Sequence, residues 1–320
     1  MQNPNTIERE EKIMKKRVLG VLLSVAMVMV LAACGDSSPA PAESATEAVV
    51  EEEASVAETE EEATAETVES TEEETVVDTS NMGPSMKKIY ERGYVLIGCD
   101  TTFPPFSFQD PATGEVYGVM VEFGNRLAEK LGVDVKYQAE AFGTLLSDLT
   151  TDKVDLVAAG VTVTEERKEI MMFTDSYIAT ADTMVVRTED IDKYTDLDSF
   201  KGKTISANNG TSQMTHAETI EGATVIGCDG TADAILQLVS GSVDACIVDN
   251  KNGKQYVEAN KGAIEMVDTA AFESNDKAVA AQLGNEDLVA VCNEVIAEMK
   301  PSIDELVDYY TKLSVELLGV

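Results

Sequence analysis

Between positions 35 and 85 the chain carries 16 Asp or Glu and not one Lys or Arg, with Ala, Thr, Ser and Val between them. No aromatic residue falls in this stretch, and its few apolar side chains follow neither the period of a strand nor that of a helix. Such a segment buries too little surface to offset its ordering entropy, and its like charges repel and extend it. It reads as a disordered acidic tether. A metal-binding acidic tail is the alternative, but the carboxylates show no ligand spacing. The tether divides the chain into a leader of 34 residues and a C-terminal piece of 235, and only the second is long enough to build a core.

In the leader, Lys15-Lys16-Arg17 precede an apolar run from Val18 to Val30, and Leu31-Ala32-Ala33-Cys34 closes it. Basic residues, an apolar stretch and small residues before a cut are the parts of a secretory signal peptide. The run is short for a membrane span, which needs about 20 residues. Cys34 at the cut resembles a bacterial lipobox. That resemblance implies a lipoprotein, with a thioether-linked diacylglyceryl group and acyl chains such as palmitate on Cys34. A plain signal peptide with a chance cysteine, or an N-terminal membrane helix, are the alternatives. Met14 is a second candidate start, because residues 1–13 are polar and fit no targeting pattern.

With +2 on the leader and −16 on the tether, the C-terminal piece carries −21 of the chain's −35. A domain that acidic repels nucleic acid and anionic lipid surfaces. Cys99, Cys228, Cys246 and Cys292 lie far apart without a C-x-x-C pair, and His216 is the single histidine. Zinc ligation and Cys–His nucleophilic chemistry do not fit that inventory, and no metal or cofactor is expected. Four unpaired thiols are expected in preference to two disulfides.

Residues 86–320 alternate short β-rich runs with helical stretches. Tyr94-Val-Leu-Ile-Gly-Cys99 predicts a buried strand, and Phe123, Leu127 and Leu131 line a helix that Gly132 ends. Val133, Val135 and Tyr137 alternate as a half-buried strand, Leu145, Leu146 and Leu149 line a second helix, and Asp155-Leu-Val-Ala-Ala159 fits a parallel sheet interior. The rhythm returns in residues 204–207, 231–239 and 244–248. Two amphipathic helices, split by Pro301, end the chain. Strands alternating with helices predict an α/β fold. Lys153-Val-Asp-Leu-Val and Ser242-Val-Asp-Ala-Cys repeat one phrase, each after a helix and before a polar loop, as two similar lobes would. Ligands of open α/β sheets bind beyond the carboxyl ends of the strands, so a cleft between the lobes is the expected site.

Five ordered motifs carry a family resemblance. They are Gly98-Cys-Asp-Thr-Thr-Phe-Pro-Pro-Phe106, Gly132-Val, Val154-Asp-Leu-Val-Ala-Ala-Gly-Val-Thr-Val-Thr-Glu-Glu-Arg167, Phe173-Thr-Asp-Ser-Tyr177 and Gly241-Ser-Val-Asp-Ala-Cys-Ile-Val-Asp249. Over residues 87–318 the chain resembles the extracytoplasmic solute-binding proteins of polar amino acid ABC importers, the lineage of the glutamine- and histidine-binding proteins. The resemblance implies a two-lobed periplasmic-binding-protein-like fold of type 2, with a ligand cleft and a two-strand hinge. Lobe 1 would comprise residues 86–182 and 272–320, and lobe 2 residues 183–271. It implies no enzyme activity, a small-molecule amino acid as ligand, an ABC permease as partner, and a monomer held at the cell membrane by lipid.

The physics of each candidate residue stands beside that resemblance. A zwitterionic ligand needs a cation for its carboxylate and an acid for its ammonium. Arg167 follows Thr164, a candidate N-cap, and so falls in a first helical turn, where the helix dipole disfavours a cation and an anionic partner relieves it. A surface ion pair with Glu165 or Glu166 is the competing reading. Gly160 permits close backbone approach, and Thr162 offers a hydroxyl and an N–H. Thr211 and Ser212 open a helix whose N–H groups favour an anion, or simply make a turn and a cap. Asp249 ends a buried strand and needs a partner. In the family the matching acid takes the ligand ammonium; a plain helix N-cap is the alternative. Phe103 and Phe142 are implied as walls around the ligand side chain, and Asp100 as a hydrogen-bond acceptor from it.

Three departures from the family pattern stand out. Gly118-Val-Met-Val-Glu-Phe123 and Pro301-Ser-Ile alter helix starts, and Lys277 replaces a customary glycine where it can reach toward the cleft. A dehydratase of prephenate-like acids and a ligand-sensing module are the alternative functions on this fold.

Overall fold

The computed structural model describes residues 79–318. The leader, Cys34 and all but the last seven residues of the acidic tether lie outside the described part. Met82 packs against the core of lobe 1, the Gly83 N–H donates to Asp287 Oδ2 at 2.7 Å, and the Ser85 N–H donates to Asn285 Oδ1 at 2.8 Å. The folded domain therefore begins ahead of Met86, because Met82 has apolar surface to bury and two polar side chains answer the backbone donors.

Helix α1, Pro84–Arg92, leads into β1, Tyr94–Cys99. The short strands β2, Thr102–Phe103, β3, Ser107–Gln109, and β4, Val116–Tyr117, form a small sheet of their own. Helix α2, Val119–Leu131, buries Phe123, Leu127 and Leu131 along one stripe, and Gly132 caps it. Strand β5, Asp134–Ala139, helix α3, Phe142–Thr150, and strand β6, Leu156–Thr162, complete the first α/β run. A single turn, α4, Glu165–Lys168, and strand β7, Met172–Phe173, follow. The long strand β8, Ile178–Arg187, opens the second run: β9, Thr204–Asn208, α5, Ser212–Thr219, β10, Thr224–Cys228, α6, Thr231–Val239, β11, Ala245–Asp249, and α7, Asn250–Ala259. Strand β12, Ile264–Ala281, returns to the first run, and helices α8, Glu286–Met299, and α9, Ile303–Leu318, end the described chain.

The main sheet runs β10-β9-β11-β8-β12-β6-β1-β5, with β7 beside β12. Strand β1 is parallel to β5 and β6, and β9 is parallel to β10 and β11. The antiparallel pair β8 and β12 joins these two parallel halves. Strand β12 starts on β8 at Ile264↔Arg187 and finishes on β6 at Ala281↔Leu156, with register shifts between Val267 and Ala271 and between Ala271 and Ser274. These are the two expected crossover strands, and the borders at residues 182 and 271 fall inside them.

Strand β6 shows why the halves are separate lobes with helices on both faces. All seven of its residues are buried, as in a sheet covered on both sides. Leu156 and Ala158 face a core with Phe123, Leu127 and Leu288, whereas Val157, Ala159 and Val161 face Leu145 and Leu149 of α3. The other lobe has its own core around Phe200, Ile205 and Ile247. Fully burying a side chain of this size contributes about 1.5–3 kcal/mol, so each lobe is held by its own apolar interior. Among the described residues the four cysteines, Cys99, Cys228, Cys246 and Cys292, are free, as expected, and buried.

Candidate functional site

The parallel strands of the two lobes point their carboxyl ends at one another. Asp100 follows β1, Thr162 ends β6, Asn208 ends β9 and Asp249 ends β11. Between them lies a narrow cavity of about 20 Å³. Of the nine ligand-site residues expected from the sequence, Asp100, Phe103, Phe142, Gly160, Thr162, Thr211, Ser212 and Asp249 line it. Asn208, Gln213, Thr231 and Lys277 line it as well.

Arg167 does not line the cavity. Its Nη1 donates to the Thr162 carbonyl at 2.8 Å, its Nη2 to the Gly210 carbonyl at 2.9 Å, and its guanidinium lies 5.7 Å from the centre of the Phe142 ring. Thr164 caps the turn as expected, accepting from the Arg167 N–H at 3.2 Å. The helix-dipole argument for Arg167 does not survive, because α4 is four residues long and Arg167 stands in its first and last turn alike. Nor does Arg167 pair with its acidic neighbours: Glu165 is taken by Lys168 at 2.8 Å. Burial pulls the Arg167 pKa down, and the charge of Glu166 offsets this only in part. A half-buried cation whose bonds go to neutral carbonyls is poised for an anion.

Asp249 plays two parts at once. Its Oδ1 caps α7, accepting from the Lys251 N–H at 2.9 Å and the Asn252 N–H at 3.4 Å. Its Oδ2 accepts from the Thr180 hydroxyl and lies 3.6 Å from Lys277 Nζ. The capping reading and the cleft reading of this residue are therefore compatible. Burial pushes the Asp249 carboxyl above the usual range, against the opposing charge of Lys277 and the Thr180 hydrogen bond. Asp100 is raised too, by burial, although the Thr102 N–H and hydroxyl, each at 2.8 Å, and the Asn208 amide at 3.3 Å hydrogen-bond to it.

Thr211 is the N-cap of α5, accepting from the Met214 N–H at 3.3 Å, and Ser212 opens the helix. The Ser212 hydroxyl meets the Thr162 hydroxyl of the other lobe at 3.1 Å. Gly160 sits at φ +66°, and a Cβ there would come within 2.4 Å of the Phe103 ring. Gly210, at φ +73°, lets the lobes touch, since a Cβ on it would meet Gly143 Cα at 3.0 Å.

Sequence reasoning missed two things here. Asn208 leaves its Oδ1 buried without a hydrogen-bond partner among the described residues, which a donor on a ligand would satisfy. Behind the cleft, Asp182 lies 2.9 Å from His216 Nδ1 and accepts from Gln213 Nε2 at 2.5 Å. Burial pushes Asp182 up, but the His216 bond, the charge of Lys277 and a bond from Ser212 outweigh it and hold its carboxyl below the usual range. Lys277, expected as a departure able to reach toward the cleft, does line its wall. A lysine heading the apolar run Ala278-Val-Ala-Ala281 was the available signal.

Two α/β lobes, joined by two strands and closing on a polar cavity, define the class of periplasmic-binding-protein-like folds. The chain belongs to the bacterial extracellular solute-binding proteins, family 3, which it matches over residues 95–312. It is 31% identical to the L-cystine-binding protein TcyJ of Escherichia coli (strain K12) over 216 residues, 67% of this chain and 80% of that protein. An arginine-bound mutant of ArgBP from T. maritima superposes with a TM-score of 0.64 at 30% identity, covering 67% of this chain and 100% of that one. The ancestral amino acid-binding protein AncCDT-1, a precursor of cyclohexadienyl dehydratase, does so with a TM-score of 0.64 at 27% identity, over 71% and 97% of the two chains.

Proposed function

We propose that this chain is an extracytoplasmic receptor, lipid-anchored at Cys34, that closes around a polar amino acid and presents it to the permease of an ABC importer. The observation that carries the reading is the cavity at the carboxyl ends of the strands of both lobes, with the buried Asp249 in its lining and Arg167 at its edge. In this reading Arg167 turns from the two carbonyls to the ligand carboxylate, helped by the Thr162 and Ser212 hydroxyls and the N–H groups at the start of α5. Asp249 takes the ammonium. Phe103 and Phe142 flank the side chain, and Asp100 and Asn208 meet its polar end. Gly160 leaves the room that Phe103 fills. Closure is favoured by ligand because only the closed state makes both sets of contacts. The relatives named for cystine and arginine support an amino acid ligand.

A thermal-shift screen of the twenty amino acids and L-cystine tests this. A ligand at 1,000 times its dissociation constant adds about 4.1 kcal/mol of stability, a shift of several degrees. A panel without any shift overturns the amino acid reading. Cys34→Ala is expected to release the protein from membranes or leave its precursor uncleaved, and normal membrane retention overturns the anchor. Conversion of prephenate by the purified protein would replace the receptor with a dehydratase.

A further inference from the structure

Lys277 lies in β12, opposite Thr162 on one side and Ile178 on the other, and is 4 % exposed. The residues after it, Ala278 to Ala281, are buried and apolar. A lysine in such a place is retained at a cost unless its charge is answered. Its Nζ donates to Thr162 Oγ1 at 2.8 Å and stands 3.6 Å from Asp249 Oδ2. The ammonium thus sits between the acid assigned to the ligand ammonium and the hydroxyl assigned to the ligand carboxylate. Three donor hydrogens are available on it, and these two neighbours leave one for the cavity that Lys277 lines.

The balance of charge follows. Asp100, Asp249 and Arg167 alone would give the site one negative charge in excess, a balance that suits a cationic amino acid. Lys277 brings it to two cations against two anions. Asp182 stands outside the lining, bonded to His216 and Gln213, and is a further anion that the Lys277 charge also answers. A ligand ammonium shares Asp249 with Lys277, whereas a ligand carboxylate gains a second cation. A further cation on the ligand side chain would stand against both Lys277 and Arg167 in a site where water does not screen them. At the far end, Asn208 Oδ1 offers a neutral acceptor still without a donor.

We infer that Lys277 determines the charge class of the ligand, restricting the cleft to amino acids of zero net charge and excluding those with cationic side chains. The inference rests on the amino acid reading above, and it sets this chain apart from the arginine-bound neighbour. Isothermal titration of the purified chain with L-glutamine, L-cystine, L-glutamate, L-lysine and L-arginine tests it. A neutral member is expected to bind at least about tenfold tighter than lysine or arginine, a preference of about 1.4 kcal/mol. Lys277→Gln is expected to shift that ratio toward the cations by about tenfold or more, and Lys277→Arg to keep it. If Lys277→Gln does not fold, the wild-type ranking and Lys277→Arg still decide. Arginine, lysine or glutamate as the tightest wild-type ligand overturns the inference, as does an unchanged ratio in Lys277→Gln. Binding by no member at all overturns the amino acid reading itself, and the inference with it.

Discussion

Arg167 reaches from one lobe to the other, its Nη2 donating to the carbonyl of Gly210 at 2.9 Å. The bond spends a charged donor on a neutral acceptor while burial weakens the guanidinium's hold on its proton. A carboxylate arriving beside Thr162 and Ser212 offers that cation the partner it lacks. Arg167→Ala is therefore expected to weaken amino acid binding by at least about 100-fold, because removing one member of a buried ion pair typically costs ~3–5 kcal/mol. Calorimetry on the best ligand of the screen checks this. Near-parental affinity would mean that the ligand has no carboxylate at this position.

Acid is expected to act in opposite directions on binding and on the empty protein. Burial raises the Asp249 carboxyl, while Lys277, Asp182, Tyr177 and Thr180 surround it. A ligand ammonium favours the charged carboxylate, so the complex binds fewer protons than the free protein at intermediate pH. Affinity then falls as the pH drops through the raised value, above the ordinary aspartate figure of about 3.9. Without ligand, a folded pKa above the unfolded one means that the native state binds the extra proton. Stability of the empty protein therefore contains a contribution from Asp249 and Asp100 that grows as the pH falls through the same window. Titrations from neutral pH downward check the first trend, with Asp249→Asn expected to bind weakly and without that pH dependence. An affinity that is flat with pH in the parent protein removes Asp249 from the ammonium subsite.

The fold was legible because its signals are local. Tyr94–Cys99 is observed as read, and the stripe of Phe123, Leu127 and Leu131 packs as a helix face. The crossover strands were harder. Strand β12 contains Glu273, Asn275, Asp276 and Lys277, a polar stretch that reads as a loop and becomes strand only by pairing with β8 and β6. In the site, side chains directly behind strand ends, such as Asp100 and Asp249, could be found from the chain alone. The direction in which Arg167 turns could not, because it depends on the Gly210 carbonyl of the other lobe. The Asp182–His216 pair joins β8 to α5, two elements that no local pattern connects.

Cys99 and Cys246 illustrate how burial silences chemistry that a composition table would permit. Both thiols are buried, and burial pushes each up to about 12. Thiolate is the reactive species, so almost none is present near neutral pH. The native protein is expected to leave both cysteines unlabelled by a thiol reagent on a timescale over which the denatured chain reacts fully. Rapid labelling of Cys99 in the native protein would show that the strand beneath the cleft opens.

Gly160 offers the sharpest test of how the cleft wall is built. It combines a φ of +66°, which suits glycine, with contact so close that a Cβ would stand 2.4 Å from the Phe103 ring. Phe103 is itself stacked on Phe106, with ring centres 5.1 Å apart, so the ring cannot retreat without disturbing that buried aromatic. Gly160→Ala therefore combines backbone strain, of order 1–3 kcal/mol, with displacement of the ring that lines the cavity. The variant is expected to melt several degrees below the parent and to bind ligand more weakly. Phe103→Ala supplies the control, since it removes the ring and leaves only the backbone strain. In the double variant the added methyl should cost less than it does alone, and a double-mutant cycle measures the difference. Strict additivity of the two changes would show that the glycine is there for its backbone alone.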